Sequence, residues 1–481
     1  MGIDVGTTQT KAAVFDENWS MKGYAASPNE ILRSKDGFAE QDAERVFQTV
    51  LSVVREAVGR SGVRNLEAVG LSVQGDAFIP VDKNRRALAL AQLGMDYRAG
   101  EETDELSGRF GAETMFKKTG MPPHPMNTLC KILWFKKHCP ALDERVWKYM
   151  TYADFLLSKL GAEEPVIDRS MASRTMALSL ETGQWDDDLF QYGALPRERF
   201  CAPAEPGTTV GTLSKRICEE TGITGRALLT AGGHDQTCAA LGAGLFEEGI
   251  ALDSHGTAEV LSSVLQKSNL SRRFFENGFP CYRHVIPKQY FTFALNHTGG
   301  LPFQWVHDQF ASQEAAEAKA SGRDTYDVIL EKMPVQPTNL IAIPFPSGGA
   351  KGSVHGLTFS TTRHEFAKAI LEATAMELRK NLLLLCAAGV KIQELRCVGG
   401  GAKSGIGLQL KADILGLPVA TMKIREAACL GAAELAGVGV GAFETAAQAA
   451  RLAETAKVFY PEQQRAAQYA EKYAEYIEIS K

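Results

Sequence analysis

Two short stretches limit most strongly how this chain can fold: GIDVGTTQTK at residues 2–11 and, in outline, ALDSHGTAEV at 251–260. In each, an apolar run reaches an acid and then a Gly-Thr pair before a further run, the pattern of a strand, a tight turn and a second strand. Such a turn leaves backbone N–H groups and small hydroxyls free to face an anion such as phosphate. An acid beside that anion, Asp4 in the first stretch, suits a bound divalent cation better than direct contact with phosphate. One hairpin of this kind in each half of the chain predicts two related lobes that hold a nucleotide between them.

The 481 residues exceed what one hydrophobic core serves, and the chain reads as two domains, 1–243 and 244–481. A formal net charge of −5, with no basic run longer than Lys136-Lys137 or Arg85-Arg86, argues against a nucleic-acid surface. No apolar run reaches the ~18 residues that span a bilayer. The first strand begins too early to leave room for a signal peptide, so no membrane partner and a cytoplasmic location are expected. Nine Cys, an odd number without a CxxC pair, read as reduced thiols and not as a zinc site.

Periodicity predicts a strand ending at Val5, strands over Lys11 to Phe15 and Met21 to Ala26, and a buried strand over Leu66 to Val73. Between them, a helix from about Ala43 to Arg60 carries Val46, Phe47, Val50, Leu51, Val54, Ala57 and Val58 on one face. This order is that of an α/β lobe. Residues 99–200 read as mostly helical decoration of it. In the second half, a strand over 250–253 leads into the second Gly-Thr turn, followed by helix 365–387, strand 393–398, a helix starting at about 401–404 and a last helix, 462–478. That last helix places Ala466, Tyr469, Ala470, Tyr473 and Ile477 on one stripe.

Four stretches carry candidate chemistry. The first turn offers Thr7, Thr8 and Lys11 for phosphate and Asp4 for a metal, without the spacing of a P-loop. VGGGAKS at 398–404 leaves a strand and enters a helix, so Gly400, Gly401, Ala402 and Ser404 read either as a nucleotide contact or as a plain helix cap. AGGHDQTCAALG at 231–242 sets Asp235 at a helix start, where a carboxylate stays ionised and can take a proton from a hydroxyl; a plain N-cap is the other reading. His234 reads as a neighbour and not as a catalyst. SVQGDA at 72–77, with Asp96 and Arg98 further on, ends buried runs in polar groups that suit a polyhydroxylated ligand, or merely cap loops.

Together these motifs closely resemble the FGGY carbohydrate kinases, over essentially the whole chain. One signature of that family is matched by MNTLCKILWFKKH at 126–138, with Lys131 and Trp134 in place. The other is matched by GSVHGLTFSTTRHEFAKAILE at 352–372, with Gly352, Gly356, Glu365, Ala369 and Glu372. The resemblance implies an α/β, two-lobed fold of the actin, hexokinase and Hsp70 type (ribonuclease H-like), with an ATP cleft between the lobes. It makes Asp235 the catalytic base and Asp4, with Thr7 and Thr8, a Mg2+-phosphate loop. Gly256 and Thr257 become the second phosphate loop. Gly300 and Gln304, in HTGGLPFQW at 297–305, join Gly401 to Ser404 as nucleotide contacts. Gln74, Gly75, Asp76, Asp96, Asp235 and Gln236 would line the sugar.

The implied activity is ATP- and Mg2+-dependent transfer of the γ-phosphoryl group to a sugar hydroxyl. Glycerol kinases show Arg-Glu where Gly75-Asp76 stand, which argues against glycerol. GGGAKS is more like xylulose and gluconate kinases. A sugar acid would be repelled by Asp76 and Asp96 unless Arg98 or a Lys reaches in, so a neutral ketopentose such as xylulose ranks first, ahead of gluconate, another ketose or a polyol. A nucleotide-gated binding protein of the same fold, without kinase activity, is the alternative of another class. The expected partner is a small-molecule sugar, with a homodimer compatible.

Overall fold

In the computed structural model, described over residues 1–35, 37–296, 298–344 and 351–480, the chain divides into two compact units. The first comprises 1–246, 264–292 and 426–453, and the second 247–263, 293–425 and 454–481. Neither is one continuous stretch.

The sheet of the first unit contains β1 (Gly2–Val5), β2 (Gln9–Phe15), β3 (Met21–Pro28), β4 (Ala68–Val73), β5 (Thr209–Thr212) and β6 (Leu228–His234). Their order across the sheet is β5-β6-β4-β1-β2-β3. The first hairpin is antiparallel, with Asp4 opposite Lys11, while β1 runs parallel to β4 with Asp4 level with Ser72. The expected strand from Leu66 begins two residues later, at Ala68. Asn65 makes an isolated bridge with Thr224 there, and pairing becomes continuous only beyond it.

One face of this sheet is covered by the helix Ala43–Ser61, whose apolar stripe is the expected one: Val46, Phe47, Val50, Leu51, Val54, Ala57 and Val58 are all buried. The Asp42 side chain accepts from the N–H groups of Glu44 and Arg45, and Gly62 ends the helix at φ 68°. Against β1, β4 and β6 packs the helix Ala427–Gly439, rich in Ala and Gly. Its approach is backbone to backbone: a Cβ on Gly2 would lie 1.8 Å from the Cys429 carbonyl oxygen, and one on Gly70 2.0 Å from that of Ala432. Glycine on the sheet is what lets this helix come so close.

The second unit repeats the pairing scheme. Its strands β7 (Gly249–His255), β8 (Glu259–Leu265), β9 (Tyr290–Asn296), β10 (Ile392–Gly399), β11 (Val419–Met422) and β12 (Thr455–Phe459) run in the order β9-β8-β7-β10-β11-β12. The hairpin β7-β8 is antiparallel and β7 is parallel to β10, as β1 is antiparallel to β2 and parallel to β4.

Several family-signature residues are structural in this unit. Glu365 closes a capping box with Thr362 at the start of the helix Arg363–Ala387. Two turns further in, buried Glu372 accepts from Thr338, Tyr469 and Lys472. Tyr469 and Lys472 belong to the last helix, Gln463–Ile479, whose buried face differs from the expected stripe: Ala470 is exposed and Tyr476 is buried. The reason is polar, since Tyr469 and Tyr476 turn inward to reach Glu372 and Glu377. Among the described residues, no helix is long and apolar enough to cross a membrane.

Candidate functional site

The carboxyl ends of β1, β4 and β6 gather the polar residues of the first unit. Ser72, level with Asp4 in the parallel pair, donates to Asp4 Oδ1 at 2.7 Å. Burial raises the Asp4 pKa, while Lys11, opposite on β2, acts to lower it. Lys11 itself is bound to Glu426 at 2.8 Å, with Tyr24 sharing that carboxylate. In the turn, Thr7 Oγ1 donates to Gln74 Oε1 at 3.0 Å, and Gln41 receives the other end of the Gln74 amide. Thr8 is exposed.

Beyond β4, the QGDA turn is built around a buried ion pair. Asp76 has φ 63°, an unusual left-handed conformation for a residue with a side chain. Lys131, the signature lysine, holds it there by donating to the Asp76 carbonyl oxygen at 2.8 Å and to that of Leu93. Burial lowers the pKa of this ammonium to about 8. The Asp76 carboxylate meets the buried Arg174 guanidinium at 2.5 Å, leaving its Oδ1 with no hydrogen-bond partner among the described residues. Gly75 leaves room for a neighbour, since a Cβ there would stand 2.7 Å from His234 Nε2.

Asp235 opens the helix Asp235–Gly242 at the end of β6. Its Oδ1 lies 3.1 Å from His234 Nε2 and accepts from the Gln236 N–H at 2.6 Å. On the far side of the imidazole, Nδ1 is 3.0 Å from the Tyr282 hydroxyl. Burial, and after it the Arg174 charge, holds the His234 pKa well below the usual value, so the ring is neutral. Burial pushes the Asp235 carboxyl up to about 7, helped by the negative charge of Asp4. A carboxyl poised there, with 27% of its side chain open, can take a proton near neutral pH. The Gln236 Oε1 is buried and unpartnered among the described residues.

Asp96 is placed differently from the others. It is fully buried, accepts from the Ala39 N–H at 2.8 Å, and is paired with Arg98 at 2.6 Å. Burial acts to raise its pKa, but these donors outweigh it and hold the carboxyl below its usual range. Arg98 also meets Glu40 and lies over the Phe38 ring, with the signature Trp134 beside it. Arg98 is thus paired with Asp96, and Arg174, which the repulsion argument did not include, with Asp76. Neither aspartate presents an unbalanced charge.

In the second unit, three of the expected nucleotide segments converge. The Gly256-Thr257 turn is closed by a bond from Gly256 N–H to the Ala258 oxygen, and Gly300 N–H donates to the Gly256 oxygen at 3.0 Å. Gly300 begins the helix Leu301–Phe310, on which Gln304 is exposed. His297, at the start of the HTGGLPFQW string, lies outside the described residues. Gly400, Gly401 and Ala402 form a short 3-10 turn after β10. Ser404 caps the helix Gly405–Leu415, its Oγ accepting from the Gly407 N–H at 3.2 Å. The expected helix start at 401–404 is thus this 3-10 turn, with the α-helix beginning at Gly405.

Sequence reasoning missed Arg174, Tyr282 and Glu426 because each partner lies far off in the chain. It also missed a buried cluster under the second turn: Lys411 meets Asp253, Glu259 and His255. The expected metal residue, Asp4, offers one buried hard oxygen ligand, and Mg2+ needs only one or two carboxylates when it keeps its waters and binds phosphate. Asp253, His255 and Glu259 have metal-ligand spacing, but the Lys411 ammonium already stands among them.

The pattern described as the FGGY family of carbohydrate kinases matches the chain twice, its N-terminal domain over residues 1–242 and its C-terminal domain over 252–440. The xylulose kinase of Bacillus subtilis (strain 168) is 26% identical over 420 residues, covering 85% of this chain and 82% of that protein. The gluconokinase of the same organism is 24% identical over 417 residues, covering 84% and 80%. Among solved structures, gluconate kinase from Lactobacillus acidophilus superimposes with a TM-score of 0.88 at 24% identity, covering 99% of this chain and 96% of that one. The chain belongs to the FGGY family of carbohydrate kinases, phosphotransferases with a hydroxyl acceptor.

Proposed function

We propose that this FGGY kinase transfers the γ-phosphoryl group of ATP to a hydroxyl of a ketopentose such as xylulose, with Asp235 as the base. The observation that carries the reading is the Asp235 carboxyl, raised to about 7 by burial and backed by neutral His234 and Tyr282. A base of that pKa is ionised in a useful fraction at neutral pH and still accepts a proton readily.

The chain's own residues divide the work. Asp235 accepts the proton of the attacking hydroxyl, and His234 fixes its orientation through the 3.1 Å contact. Gln236, whose amide oxygen has no partner among the described residues, and the Asp76-Arg174 pair offer acceptor and donor groups to the other hydroxyls. The hydroxyls of Thr7 and Thr8 and the turn N–H groups would hold phosphate. Asp4 would hold Mg2+, which when bound neutralises phosphate charge. In phosphoryl transfer such positioning and charge neutralisation supply most of the acceleration.

A sugar acid such as gluconate is the second reading, favoured by a specific finding. Arg98 and Arg174 balance the two aspartates expected to repel a carboxylate. A coupled assay of ADP release over ketoses, aldoses, polyols and sugar acids tests both. The highest kcat/KM falls on a ketopentose if the first reading holds and on a sugar acid if the second does. ADP release that no acceptor stimulates defeats both, and favours the nucleotide-gated binding protein. The nine thiols, none in a disulfide, support a reducing cytoplasmic setting.

A further inference from the structure

His255 closes β7 immediately before the second Gly-Thr turn, and no motif singles it out. Its ring lies where the glycine-bearing segments of the second unit meet. A Cβ on Gly401 would stand 2.5 Å from ring carbons Cγ and Cδ2, and one on Gly300 3.5 Å from Nε2. Glycine at 401 therefore gives the imidazole its space, and the ring directs Nε2 toward the start of the helix Leu301–Phe310. That helix start has no side-chain cap.

On its other edge the ring is held by a buried network. Nδ1 lies 2.6 Å from Glu259 Oε1 and 2.9 Å from Lys411 Nζ. Lys411 also meets Glu259 at 2.7 Å and binds Asp253, and both carboxylates are fully buried. The strand register produces this arrangement, since His255 and Glu259 are direct partners across the hairpin. Buried charges joined in this way are costly to separate, so the ring has little freedom to turn.

We infer that His255 binds a phosphate of the nucleotide, its Nε2–H donating to a phosphate oxygen, with Glu259 and Lys411 as positioning residues that fix the ring. Glu259 Oε1, at 2.6 Å the nearer partner of Nδ1, can only accept, so Nδ1 carries a proton and donates to it. The Lys411 ammonium donates to Asp253 and Glu259. A phosphate at Nε2 places a second anion beside the ring and favours its doubly protonated form, whose Nε2–H donates to the phosphate oxygen. The inference rests on the reading of the second unit as the nucleotide-binding one.

Calorimetric titration of the full chain with ADP and with adenosine tests it, on wild type, His255→Ala and His255→Gln. The expected result for His255→Ala is a Kd for ADP raised about tenfold or more, as for loss of a hydrogen bond to a charged group, with the adenosine Kd unchanged. His255→Gln keeps an N–H donor of similar reach and recovers part of the ADP affinity; it also carries the test should the alanine variant fail to fold. Equal weakening of ADP and adenosine, or no weakening of ADP, overturns the inference. Wild-type protein that binds no ADP overturns the nucleotide reading itself, a separate outcome visible before any variant is compared.

Discussion

His234 Nε2 stands 3.1 Å from Asp235 Oδ1, so the residue that ends β6 and the residue that begins the next helix form one unit. Burial keeps the imidazole neutral, and burial also lifts the carboxyl to about 7. A single placement at the strand end thus sets both the orientation and the basicity of Asp235.

Asp235→Asn removes the proposed proton acceptor while keeping the side chain's size. Turnover is expected to fall by ~10²- to 10⁴-fold, the usual worth of a general base. ADP affinity stays near that of wild type, measured by titration on the same preparation. Unchanged turnover would rule out Asp235 as the base.

The same carboxyl gives two pH signatures. Turnover rises with pH through about 7, as Asp235 ionises. Stability moves the other way. The folded pKa lies above the unfolded value of 3.8, so the stabilising share of Asp235 is complete below about pH 4 and is lost as pH rises through about 7. Asp235→Asn should therefore melt higher than wild type at pH 8 and equally at pH 4. The gain is at most ~4 kcal/mol at about 1.4 kcal/mol per pK unit, and solvent at the partly open side chain reduces it.

Arg174→Met strands the Asp76 carboxylate in a buried position. Breaking such a pair costs ~3–5 kcal/mol. Denaturant unfolding should show a loss of that size, and adding Asp76→Asn should restore most of it. Equal stability of the single variant and wild type would mean that Asp76 finds another partner.

Two glycines separate backbone contact from open space. A Cβ on Gly232 would lie 1.6 Å from the Leu71 carbonyl oxygen, so Gly232→Ala forces β6 and β4 apart and should abolish soluble folded protein. At Gly59, inside the helix Ala43–Ser61, a Cβ meets nothing within 4 Å. Gly59→Ala should raise stability by ~0.5–1 kcal/mol, read from thermal melts.

The hairpins, the helix Ala43–Ser61 and the glycine-rich turn after β10 were legible in the chain because each is written in neighbouring residues. Turn residues sit beside their strands, and a buried stripe repeats every three or four positions. The last helix was legible in extent but not in its buried face. Tyr476 turns inward toward Glu377, a residue of another helix, and apolar periodicity carries no trace of that bond.

The sequence alone determined the class of the molecule: two Gly-Thr hairpins, Asp235 at a helix start and the two signatures lead to an FGGY sugar kinase. Only the tertiary structure decided how the charges are balanced. Arg174 reaches Asp76 across 98 positions, Lys11 reaches Glu426 across 415, and Lys411 reaches Glu259 across 152. Local pattern fixes which residues turn inward, because burial repeats along a strand or helix. Which charge meets which is set by strand order and register, and those join distant parts of the chain with no periodic mark.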